Sequence, residues 1–113
     1  MHEVAIMEEA VRLAVDSAKA AGASRVTGMR LRIGTLSGVV PEALRFAFDV
    51  VCQGTLAEGA TLEMETIPAT GWCPDCAAEY ACDHFMSECP RCQNLNGRLR
   101  RGRELEISSV EIS

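Results

Sequence analysis

Leu105-Glu106-Ile107-Ser108-Ser109-Val110-Glu111-Ile112, the last long stretch of the chain, decides how the rest is read. Leu105 and Ile107 alternate with Glu106, as one face of a strand should. Val110 and Ile112 fall out of phase with them, so Ser108-Ser109 is expected to hold a bulge that restores the apolar face. A strand here needs partners. The residues before it, roughly Ala69 to Arg98, carry paired cysteines and are not expected to supply a sheet of their own. The strand therefore returns to the sheet that the first half of the chain builds. The cysteine-bearing stretch becomes an insertion between two strands of an α+β sandwich.

Working back, the first half supplies what that sandwich needs. From Val4 to Ala21, Met7, Val11, Ala14 and Ala18 recur at helical spacing, with Glu8, Glu9, Arg12, Asp16 and Lys19 largely elsewhere, and Gly22 stops the run. Met29, Leu31 and Ile33 alternate with Arg30 and Arg32 as a half-buried strand. Gly34 to Gly38 is read as a turn. Pro41 suits the first turn of a second helix, with Leu44, Ala47, Phe48 and Val51 as its stripe and Gly54 beyond its end. Leu62 and Met64 alternate with Glu63 and Glu65 in a second strand. The expected fold class is α+β: two helices on a three-stranded sheet, with a small zinc-ribbon-like insertion. Residues 1–68 plus 99–113 form one discontinuous domain, and 69–98 form the inserted module.

With 113 residues, one compact domain and a small module is the natural limit. Only five residues are aromatic, so the core is adequate rather than large, and a metal staple makes sense. The net charge of −5 argues against a general nucleic-acid binder. Arg98, Arg100, Arg101 and Arg103 form a local basic patch, but no aromatic residue lies within it for base stacking, and it reads as a solvated or partner-facing turn. No apolar run reaches membrane-spanning length, and no basic segment followed by an apolar one suggests export. The expectation is a cytoplasmic protein without membrane or nucleic-acid partners.

Cys73-Pro74-Asp75-Cys76 and Cys89-Pro90-Arg91-Cys92 are matched pairs with twelve residues between them. Two residues between cysteines let a tight turn aim both sulfurs at one point. Two such turns complete a tetrahedron of thiolates around one cation, the arrangement of structural Zn²⁺. Disulfides are the first alternative, disfavoured in a compartment where thiols stay reduced. Redox catalysis is the second, but a Cys-Pro-x-Cys redox motif normally stands alone at a helix start. Cys52, after Val50-Val51, reads as a small core residue. Cys82 and His84 lie between the pairs and read as neighbours of the site, with exchange for one thiolate as the alternative.

Met1-His2-Glu3 offers a second metal site. Histidine at position two disfavours removal of the initiator methionine. The Met1 amine, the His2 amide and the His2 Nδ1 can then close two fused chelate rings. Deprotonated backbone nitrogens favour square-planar Ni²⁺ or Cu²⁺, and the Glu3 amide or carboxylate can fill a remaining position. By this chemistry alone the signal is weak, because a histidine there is usually an accident of a frayed terminus.

Met1-His2-Glu3 together with the two cysteine pairs resembles the HypA/HybF family of hydrogenase nickel-incorporation proteins. Arg32-Ile33-Gly34-x-Leu36-Ser37-Gly38-Val39, Pro41-Glu42-Ala43-Leu44-Arg45-Phe46-Ala47-Phe48 and Gly54-Thr55-x-Ala57-Glu58-Gly59-Ala60 are similar to the family's central block. Trp72 and Gly102-Arg103-Glu104-Leu105 also match, whereas Val4-Ala5-Ile6 departs from the Leu-Ser expected after Met-His-Glu. The resemblance implies a non-enzymatic metallochaperone. It implies Ni²⁺ as cargo on Met1, His2 and Glu3, and structural Zn²⁺ on Cys73, Cys76, Cys89 and Cys92. It also implies a nickel-handling GTPase and the large subunit of [NiFe]-hydrogenase as partners, with some members serving urease maturation. The competing reading is a zinc-ribbon adaptor that binds protein or RNA without carrying nickel.

Overall fold

The computed structural model describes residues 2–82 and 88–113. Two helices and six strands in two small sheets make an α+β fold: α1 (Glu3–Ala20), β1 (Val26–Gly34), α2 (Pro41–Cys52), β2 (Thr61–Ile67), β3 (Thr70–Cys73), β4 (Ala78–Ala81), β5 (Arg98–Arg101) and β6 (Leu105–Ile112). Contacts divide the chain into two compact units. One contains residues 1–32, 39–65 and 106–113; the other contains 33–38 and 66–105. Among the described residues, no helix is long and apolar enough to cross a membrane.

In the first unit, α1 buries Met7, Ala10, Val11, Ala14 and Ala18, the spacing of one helical face. It ends in a Schellman motif: the Gly22 N–H bonds the Lys19 carbonyl, the Ala23 N–H bonds the Ala18 carbonyl, and Gly22 takes φ +73°. α2 starts at Pro41 and buries Leu44, Ala47, Phe48 and Cys52 against α1. Its stripe closes on Cys52; Val51 is only half-buried.

The sheet order is β2-β1-β6. Arg30 pairs with Glu63 at 2.6 Å and Arg32 with Glu65 at 3.7 Å, so the partners advance together and β1 and β2 run parallel. Parallel neighbours need a crossover, and α2 is that crossover. β6 runs the other way. Ser113 exchanges backbone bonds with Arg25 at the start of β1, and Glu104 accepts the Gly34 N–H at its end. Along β6, Leu105, Ile107 and Val110 are half-buried while Ser108, Ser109 and Ile112 are exposed, so the apolar phase shifts at the serine pair as expected, but the restored face ends at Val110 and does not include Ile112.

The second unit departs from the sequence reading in its secondary structure. The cysteine-bearing stretch does supply a sheet, of order β4-β3-β5, with β3 antiparallel to both neighbours. The arginine run is correspondingly a strand rather than a turn. Arg100 lies 4.3 Å over the Trp72 ring, and Arg100 and Arg101 approach the Glu79 carboxylate at 3.5 and 3.7 Å. Gly71, on β3, lies under the Tyr80 ring: a Cβ there would come within 2.7 Å of it. These contacts give four-residue strands a face they could not build from aliphatic side chains.

Candidate metal centres

The first cysteine pair sits in the hairpin between β3 and β4. Cys73 is the last residue of β3, and the turn ends at Ala77 with φ +49°. The second pair lies in a turn whose next residue, Gln93, has φ +57°. Ala77 and Gln93 are the only non-glycine residues of positive φ among those described. Each directly follows the second cysteine of its pair, so both turns swing the chain back through the left-handed region at the same place. The Gln93 N–H bonds the Cys89 carbonyl at 2.8 Å, and the Cys89 N–H bonds the Asn94 carbonyl at 3.1 Å. The Asn94 side-chain amide donates to the Asp75 carboxylate, linking one turn to the other.

The four sulfurs gather within 4.8 Å of one another. Cys73 Sγ and Cys92 Sγ are 3.6 Å apart, and Cys76 Sγ and Cys89 Sγ 3.9 Å. A tetrahedral ion with Zn–S bonds of about 2.3 Å requires sulfur–sulfur edges of about 3.8 Å, so the donor set fits zinc in identity, number and spacing. Backbone donors aim at it as well. The Cys76 N–H points to Cys73 Sγ at 3.5 Å. The backbone N–H of Cys92, helped by that of Arg91, holds the Cys89 thiol down at about 7, while the Cys92 thiol and burial push Cys76 up to about 12. Four crowded thiols cannot all ionise alone; a dication at their centre removes that conflict.

Cys82 is not one of the four clustered sulfurs. Cys52 is buried in the first unit. Burial, then the Asp49 carboxylate, push its thiol up to about 11, as befits a core residue. The expectations for Met1 and His84 fall on residues outside those described.

At the other end of the chain, His2 is exposed, with extended backbone (φ −92°, ψ 97°) just ahead of α1. Its carbonyl accepts the Ile6 N–H at 3.1 Å, the first bond of the helix. The Glu3 N–H therefore has no partner within α1. The Glu3 carboxylate accepts the Val40 N–H at 3.4 Å, at the start of α2. Val40 supplies no side-chain cap of its own, and Glu3 satisfies Val40's own N–H from across the two helices, the bond a capping-box carboxylate makes.

Sequence spacing located all four clustered cysteines. It missed the Asp75–Asn94 link and the two left-handed residues. The repeated Cys-Pro-x-Cys was a signal for two equivalent turns, but neither turn ends in the glycine that normally marks a left-handed residue.

A family model described as hydrogenase/urease nickel incorporation, metallochaperone HypA, matches residues 1–112. The hydrogenase maturation factor HypA of Picosynechococcus sp. is 46% identical over 112 residues, covering 99% of this chain and 99% of its own. The hydrogenase maturation factor HybF of Salmonella typhimurium is 39% identical, also over 99% of each chain. A solution structure of a HypA protein superposes with a TM-score of 0.75 at 22% identity, covering 100% of this chain and 97% of that one. The solution structure of the Ni metallochaperone HypA from Helicobacter pylori gives 0.67 at 21% identity, over 99% and 97%. Both share the fold. Matched along nearly its whole length, the chain belongs to the HypA family of nickel metallochaperones for hydrogenase maturation: nickel is its cargo, the four-cysteine cluster fits a structural zinc, and it is not a catalytic enzyme.

Proposed function

We propose that Met1, His2 and Glu3 hold the Ni²⁺ in transit, and that Cys73, Cys76, Cys89 and Cys92 hold the Zn²⁺. The observation that carries the nickel assignment is the placement of His2: exposed, outside the helix, and followed by a Glu3 amide with no helical partner. An imidazole and backbone nitrogens are thus available to one ion. The Glu3 carboxylate already faces the Val40 N–H, which favours its amide as the ligand. Such a site has few ligands and easy exchange, and it loads by losing protons, so it weakens as pH falls. The unit holding residues 1–32 carries the cargo site, and the cysteine module is the scaffold. The ion passes to a nickel-handling GTPase and the large subunit of [NiFe]-hydrogenase in the cytoplasm, with urease maturation as a second destination. What supports these partners is membership in a hydrogenase/urease nickel-incorporation family.

Calorimetric titration of untagged protein with Ni²⁺ tests the cargo site. His2→Ala, and one residue added before Met1, should each abolish specific nickel binding with zinc content unchanged. Wild-type nickel affinity in the extended protein would overturn the assignment. A pull-down with the purified GTPase tests the partner.

A further inference from the structure

We propose that the solvent face of α2 is a docking surface for a partner protein, and that the partner presents an amphipathic helix whose apolar stripe is flanked by lysine or arginine. This rests on the reading above that the chain hands its ion to another protein, and it names the surface used.

The face is defined by what α2 does not bury. Leu44, Ala47, Phe48 and Cys52 point into the first unit. Phe46 and Val50, one helical turn apart, lie side by side on the outside, with half-buried Ala43 beside them. Phe46 is 72% exposed and Val50 50%. Phenylalanine and valine are weaker helix formers than leucine, glutamate or lysine, so helix propensity does not account for them, and neither does burial within this chain. α1 also exposes Val4 and Leu13, at 51% and 45%, but its outward line is charged, Glu9, Arg12 and Asp16 pairing along it at 2.5 and 3.3 Å, and neither apolar residue reaches the exposure of Phe46. A paired aromatic and aliphatic side chain on the outside of a helix is instead the form of a helix-in-groove contact.

The border of the ridge selects the occupant. Glu42 and Asp49 are exposed along one side of it. Arg45, the only cation on α2, is turned to the Leu62 carbonyl at 3.1 Å. The chain as a whole carries −5. A second copy would bring the same acidic border against itself, and an anionic lipid surface or nucleic acid is repelled in the same way. A helix with an apolar stripe and basic flanks satisfies both the ridge and its border.

The test uses the purified GTPase of the same maturation system as the probe, titrated against full-length, zinc-loaded protein. Phe46→Ala should weaken binding by about tenfold or more, as truncation of an aromatic anchor does, and adding Val50→Ala should weaken it further. Glu42→Lys with Asp49→Lys should weaken binding and flatten its salt dependence. Nickel affinity and zinc content stay at wild-type values in every variant. Wild-type affinity in the Phe46/Val50 double variant refutes the ridge and leaves the partner reading standing. Absence of binding by the wild type refutes both. Self-association that Phe46→Ala abolishes, with GTPase binding untouched, assigns the face to a second copy and overturns the proposal.

Discussion

Each sulfur of the four-cysteine cluster is placed by a turn, a sheet strand or a backbone N–H, whereas His2, among the described residues, is held through its carbonyl by the first bond of one helix. The two regions offer metal ions opposite terms. At the cluster, four donors converge with sulfur–sulfur spacings of 3.6 and 3.9 Å, the turns are tied by Asp75 and Asn94, and no position is left for an outside ligand. At the N-terminal segment, the His2 side chain is exposed and the Glu3 N–H has no partner within α1. An ion that never leaves suits the first arrangement; an ion in transit suits the second.

The sharpest way to break this contrast is to remove one thiol. Cys73→Ser or Cys89→Ser should release zinc. It should also erase hydrogen-exchange protection in β3, β4 and β5 while α1 and α2 keep theirs, because structural zinc supplies on the order of 10 kcal/mol to such modules. Unchanged protection in zinc-free protein would show that the second sheet stands by itself. The proposed N-terminal nickel site sets the next largest effect: His2→Ala should cost at least about 100-fold in nickel affinity with no shift in melting temperature, since His2 is exposed and lies ahead of α1. A matching loss of zinc would mean that the two regions are not independent.

Cys52 sharpens the comparison from a third side, as a thiol with neither metal nor converging backbone donors. Its pKa is higher folded than unfolded, so its contribution to stability is whole below the ordinary value of 9.0 and is lost as pH rises toward about 11. Wild-type protein should lose about 1–2 kcal/mol more than Cys52→Ala across that window in urea titrations. Parallel curves would show that the buried thiol ionises as easily as an exposed one. The smallest effect expected is a gain. Ala77→Gly and Gln93→Gly each remove a side chain from left-handed backbone and should stabilise the module by about 0.5–1 kcal/mol, read as slower zinc loss to a chelator.

Where a segment is long and one-sided, its sequence was a good guide. The buried set of α1 contains all four residues that its periodicity marked, and Met29, Leu31 and Ile33 are buried on β1 as their alternation requires. The module's sheet was not legible, for a physical reason. β3, β4 and β5 are four residues each, too short to show a period, and their contacts are Trp72 under Arg100 and Tyr80 over Gly71 rather than an aliphatic stripe. Strand direction was equally hidden, because alternation is the same in parallel and antiparallel strands; it took the Arg30–Glu63 and Arg32–Glu65 pairs to reveal it. At the metal centres, cysteine spacing sufficed for the donors. The engagement of Glu3 with Val40 joins residues far apart in the chain and leaves no local trace.

The order β2-β1-β6 has a consequence for how this protein is made. β6 is synthesised after the whole cysteine module, so the first sheet waits for its third strand until the second unit has been made. The first unit is complete only when Ser113 reaches Arg25.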